Sequence, residues 1–143
     1  MDNNNNHQPE IKISIANCSG RSNIGQMSLE IAKRLDNALP YANINCLPAI
    51  SPGLKPAMKF KEADAIVVID GCKEACVLET IKLGGFEPAL RIAPDEDYGI
   101  EKIPGLEFDK EVMEKIAEDV IEKVKKLAED IRSQKLATME NRP

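Results

Sequence analysis

Apolar and polar positions along the chain follow two rhythms that alternate with each other. Ile11, Ile13 and Ile15 alternate with polar residues and run into Ala16, the period of a strand, which the turn cluster Asn17-Cys18-Ser19-Gly20 ends. Ile24, Met27, Ile31 and Leu35 then recur at three- and four-residue spacing. That spacing predicts a helix, capped at Ser22 or Asn23 and carrying Glu30 and Arg34 as an i,i+4 pair. Pro40 closes the helical region, and a short second strand is expected around Ala42–Leu47.

A proline-rich loop follows, with Pro48, Pro52, Gly53 and Pro56, and a brief helix is expected near Pro56–Glu62. Ala65-Ile66-Val67-Val68-Ile69 is a continuous apolar run, mostly β-branched, between Asp64 and Asp70-Gly71. Such a run marks a central parallel strand buried on both faces. A helix from about Cys72 to Leu83 is stopped by Gly84-Gly85, and Ala89–Ala93 gives a fourth strand halted by Pro94. Residues 95–108 read as loop. From Asp109 the stripe Val112, Ile116, Val120, Val124, Leu127 and Ile131 predicts a long amphipathic helix.

The repeated strand–helix alternation predicts an α/β domain of three layers. Its four-stranded parallel sheet is expected in the order 2-1-3-4, with a long C-terminal amphipathic helix. The expected divisions are a disordered leader at 1–9, one α/β domain at 10–136 and a flexible tail at 137–143. In such sheets a site forms beyond the carboxyl ends of the strands, at the switch point between strands one and three.

Composition narrows the chemistry. The chain has 143 residues, 43% of them hydrophobic and 30% charged, enough for one core without disulfides. With 19 basic and 24 acidic residues it carries a net charge of −5, which argues against a nucleic-acid surface. Residues 95–130 hold 13 acidic and 6 basic residues, net −7, and the remainder carries +2, so the last helix is an acidic outer layer. No apolar run reaches the roughly 18 residues of a membrane span, and residues 1–10 have no signal-peptide pattern. The cytoplasm is the expected location. The single histidine, His7, lies in the polar leader, so chemistry needing a positioned histidine base or a catalytic triad is not expected.

Four cysteines remain as candidate chemistry. Cys18 follows strand one, Cys72 follows strand three, and Cys76 stands four residues further on, one turn along the expected helix. Neighbouring strands lie about 4.8 Å apart, so these three thiols are expected to gather at the switch point, their sulfurs within about 8 Å of one another. Cys46, at the end of strand two, starts roughly 10 Å of backbone away from Cys72. Four thiolates suit a tetrahedral zinc site, and three leave an open position or hold an iron–sulfur cluster with an outside ligand. A thiol redox enzyme using Cys72 or Cys18, a disulfide among these thiols, and plain burial of small side chains are the competing readings.

Other motifs carry less. Gly20 and Gly25 have P-loop spacing, but Gln26 and Met27 occupy the places of the lysine and the hydroxyl residue, so triphosphate chemistry is excluded and a tight turn is the expected role. A phosphatase loop fails because Ile24, not arginine, stands six residues after Cys18. Asp70 is expected to cap the following helix, and Asp95-Glu96-Asp97 to be a solvated loop.

Asn17-Cys18-Ser19-Gly20 with Ser22 and Gly25-Gln26, then Cys46-Leu47, then Asp70-Gly71-Cys72 and Cys76, resemble the DGC-domain family, small proteins held to chelate zinc through four cysteines. The resemblance spans roughly residues 11–94. It implies metal binding at Cys18, Cys46, Cys72 and Cys76, with zinc as the expected ion, and it implies no reaction.

Overall fold

The structure, a computed structural model, describes residues 8–141. Most of the expected leader therefore lies outside the described residues. Four strands, β1 (Ile13–Asn17), β2 (Ala42–Ile44), β3 (Ala65–Ile69) and β4 (Leu90–Ile92), form one parallel sheet in the order β2-β1-β3-β4. The register pairs Ile13 with Ala42 on one side and with Ala65 on the other, and Val67 with Leu90. All five residues of β3 are buried, as its unbroken apolar run requires.

Period-two alternation along β1 and β3 divides the core into two layers. Ile13, Ile15, Val67 and Ile69 point to the face covered by α1 (Asn23–Ala38) and α5 (Lys110–Glu140), where they meet Met27, Ile31, Leu35, Ile116, Val120 and Val124. Ala16, Ile66 and Val68 point to the other face, against Phe60 of α2 (Met58–Lys61) and Val77 and Ile81 of α3 (Cys76–Leu83). Ser14 shares that face and donates its hydroxyl to the Lys59 carbonyl at 2.9 Å. These side chains make the three-layer α/β domain that the alternation predicts.

Several local expectations are corrected. The helix following β3 starts at Cys76 and not at Cys72, because Ala75 takes a left-handed φ of 56° that no helix interior accepts. Cys72 therefore lies in a turn, with the Ala75 N–H donating to its carbonyl at 3.1 Å. Residues 94–98 form α4 (Pro94–Tyr98) within the stretch read as loop. Proline opens it at a position that needs no N–H, and Gly99 ends it in the left-handed region.

Glu30 bonds Lys33 at 3.2 Å, while Arg34 pairs with Glu114 on α5. The expected Glu30–Arg34 pair is replaced because a partner on the packed neighbouring helix is within Arg34's reach. The long helix continues to Glu140, beyond the boundary placed at 136. Lys135 ties its far end to the Glu10 carbonyl at 2.8 Å and to Asp64 at 2.9 Å.

Candidate metal centre

Three loops at the carboxyl ends of adjacent strands carry Cys18, Cys46 and Cys72, and Cys76 opens the helix after the third. Cys18 follows β1 directly and its N–H bonds the Ile69 carbonyl at 2.9 Å, so the chain leaves the sheet still tied to β3. Its sulfur accepts from the Gly20 N–H at 3.3 Å. Gln26 reaches back to the Ser19 and Gly20 carbonyls at 3.0 and 3.1 Å, and Ser22 caps α1 by accepting from Gly25 N–H at 3.0 Å. The glycines serve close approach: a Cβ on Gly25 would stand 2.5 Å from the Gly20 carbonyl oxygen. They make the tight turn expected of them.

Close approach recurs in the Asp70-Gly71-Cys72 turn. A Cβ on Gly71 would lie 3.1 Å from the Cys18 sulfur and 3.2 Å from the Gly25 Cα. The turn after β3 thus lies directly against the Cys18 sulfur because its middle residue has no side chain.

Asp70 is buried and holds this turn in place. Its Oδ1 accepts from the Val77 N–H in the first turn of α3 at 2.8 Å, so the aspartate caps the helix as expected. Its Oδ2 pairs with Arg91 Nε on β4 at 2.7 Å, and Arg91 also reaches Glu96 at 3.2 Å. Burial pushes the Arg91 guanidinium down, but the hydrogen bond and charge of Asp70, then those of Glu96, outweigh it and raise the pKa. Asp95 accepts from the Lys73 N–H at 2.8 Å and Asp97 from the Ala93 N–H at 2.7 Å. Glu96 and Asp97 are exposed, as expected of a solvated run, whereas Asp95 braces the cysteine turn through Lys73.

A fourth segment reaches the site from residues 101–104. Asn23, nearly buried at the start of α1, donates Nδ2 to the Glu101 carbonyl at 2.8 Å and accepts the Ile103 N–H on Oδ1 at 2.7 Å. Its own N–H bonds the Ile103 carbonyl at 2.9 Å, and Ser22 forms an isolated bridge with Pro104. Lys102, between the two pinned residues, brings Nζ to 3.4 Å from the Cys72 sulfur. That hydrogen bond, then the charge on Cys72, raises the lysine's pKa, and Glu74 and Cys18 add to the rise.

The structure places each expected ligand as follows. Cys18 and Cys72 are half-buried, and Lys102 responds to both. Cys76 is exposed as the first residue of α3, so it shares no helix face with Cys72. Cys46 is exposed two residues after β2, where it precedes a single 3-10 turn, Leu47–Ala49. All four thiols are free. Among the described residues no three histidine, cysteine or acidic side chains stand ready-made around a common ion, so a shared ion requires rotation of these side chains. The donor set itself fits a thiophilic ion: four free sulfurs, with no disulfide among them.

Sequence reasoning missed Asn23's pinning role, Arg91, Asp95 and Lys102. Arg91 carries a signal, a charge inside the otherwise apolar Leu90–Ile92 strand, which demands a buried partner. Lys102 carries none, since its contact depends on a strap that no local pattern predicts.

The family model described as DGC domain matches residues 14–120, three quarters of the chain. The chain belongs to the DGC family. No curated protein and no solved structure matches it significantly. The matched segment contains all four cysteines of this DGC domain and every residue of the Asp70–Arg91–Asp95 brace. No helix among the described residues is long and apolar enough to cross a membrane.

Proposed function

We propose that this DGC domain binds one transition-metal ion through its cysteine thiolates, with zinc as the preferred ion. Cys18, Cys72 and Cys76 form the core of the ligand set and Cys46 completes it. Soft sulfur donors favour zinc over hard, oxygen-seeking cations, and four of them give a closed tetrahedral site of structural character. The observation that carries this reading is the close approach of the Asp70-Gly71-Cys72 turn to the Cys18 sulfur, made possible by Gly71. Cys76 opens the helix that directly follows that turn, and all four thiols remain free. Free, partly exposed thiols also suit a reducing compartment, which supports a cytoplasmic setting.

The contact of Lys102 with the Cys72 sulfur favours a second reading, in which Cys72 is the nucleophile of a thiol redox protein. An iron–sulfur cluster on the same cysteines is the third. Elemental analysis and an absorption spectrum of protein purified without chelator or reductant separate them. One equivalent of zinc without visible colour supports the proposal, and iron with a visible absorption band supports a cluster. Absence of metal, with a mobility shift on reduction, supports redox chemistry.

A further inference from the structure

We propose that the 101–104 strap is part of the metal centre, with Lys102 as an outer donor to the Cys72 sulfur and Asn23 as the residue that positions it. The inference rests on the metal reading above and adds two residues outside the ligand set. Three hydrogen bonds fix Glu101 and Ile103 to Asn23, at 2.8, 2.7 and 2.9 Å. Lys102 lies between these anchored residues, so its Cα is set by Asn23 although the lysine itself is exposed.

The chemistry gives this arrangement a purpose. Three thiolates and a divalent ion leave a net charge of −1, and four leave −2. An ammonium bonded to one ligand sulfur offsets that charge and orients the sulfur, as second-layer donors do at metal sites generally. Cys18 has its own sulfur donor in the Gly20 N–H, 3.3 Å away. Lys102 does for Cys72 what the backbone does for Cys18. The strap also carries Ile103 largely exposed, at 56%, so burial of that side chain does not account for its placement.

Zinc affinity of the full chain, measured by competition with a chromophoric chelator, tests the unit. Lys102→Met is expected to weaken zinc binding about tenfold, the lower range for loss of a second-layer partner, and Lys102→Arg to weaken it less. Asn23→Ala keeps the lysine charge but frees the strap, and it is expected to weaken binding by a similar factor. The double variant is expected to lose little beyond either single one, because a freed Lys102 no longer reaches Cys72.

Hydrogen exchange at the Ile103 amide reports whether the strap has been released, and far-UV circular dichroism whether the fold persists. If Asn23→Ala does not fold, Asn23→Asp, which keeps the acceptor and loses the Nδ2 donor, takes its place. Unchanged or tighter binding in Lys102→Met overturns the inference, as do losses that simply add in the double variant. A wild-type chain that takes up no zinc refutes the metal reading, and the inference falls with it.

Discussion

Asp70 Oδ2 lies 2.7 Å from Arg91 Nε, and the same carboxylate accepts the Val77 N–H at 2.8 Å. One buried side chain therefore joins the end of β3 to β4 and to the first turn of α3. The Asp of the Asp-Gly-Cys motif acts here on Arg91 and on the backbone that follows the cysteine turn. Asp70→Asn would turn an amide donor toward either the Arg91 guanidinium or the Val77 N–H, so one of the two bonds is lost whichever way the amide lies. The expected cost is about 2 kcal/mol, below the full cost of breaking a buried pair because Arg91 is partly exposed. Urea denaturation measures it, and a loss below about 0.5 kcal/mol, the range of ordinary surface changes, contradicts this role.

Ala75 gives an effect of the opposite sign. Its left-handed backbone costs a non-glycine residue roughly 1–2 kcal/mol, while glycine adds about 0.5–1 kcal/mol of unfolded-state entropy. Ala75→Gly is expected to stabilise the protein by about 0.5–1 kcal/mol with its metal stoichiometry unchanged. A fall in melting temperature would show that this backbone is not strained.

Gly25→Ala should be among the most damaging single-methyl changes. The added Cβ meets backbone, the Gly20 carbonyl oxygen at 2.5 Å, which no side-chain rotation relieves. A loss of roughly 1–3 kcal/mol is expected, together with lower metal uptake because the Cys18 loop must move. Native stability in this variant would contradict the close-approach account of the Gly20–Gly25 turn.

Asp119 supplies a test in pH. It accepts the Tyr98 hydroxyl at 2.5 Å and pairs with Lys123 at 3.2 Å, and these partners hold its carboxyl below the ordinary 3.8. A depressed folded-state pKa stabilises the fold fully above the unfolded value and loses that stabilisation as pH falls through the folded one. The Asp119 carboxyl is expected to titrate by NMR below the ordinary range and to move upward in Tyr98→Phe. A midpoint at or above 3.8 in the wild type contradicts the pairing.

Much of this architecture is legible from sequence because each element has one dominant cause. The apolar run 65–69 places β3 at the centre, and the stripe Ile116, Val120, Val124 places α5 on the core, all three fully or nearly buried. What escaped the sequence reading depends on contacts between distant residues. Ala75 breaks the expected Cys72–Leu83 helix because Asp70 takes the Val77 N–H, and Arg34 leaves Glu30 for Glu114, 80 positions away. Lys102 meets Cys72 only because Asn23 anchors the strap. Local periodicity records none of these, whereas the strand order alone is enough to put Cys18 and Cys72 after adjacent strands.

Apolar side chains fill both layers of the core, Phe60, Val68 and Ile81 in one and Ile15, Leu35 and Val120 in the other. The metal-free protein is therefore expected to keep its far-UV circular dichroism, unlike small zinc modules that unfold on chelation. Zinc should raise the melting temperature progressively, since an ion at a hundred times its dissociation constant adds about 2.7 kcal/mol. Loss of secondary structure on chelation would overturn this division between fold and site.

The most direct test of the shared metal centre is the zinc content of the Cys72→Ser variant beside the wild type, both folded by circular dichroism and dialysed against the same zinc buffer. One ion per wild-type chain and well under one in the variant is the result expected if Cys72 belongs to the site. Equal zinc content in the two proteins, or none in the wild type, would contradict it.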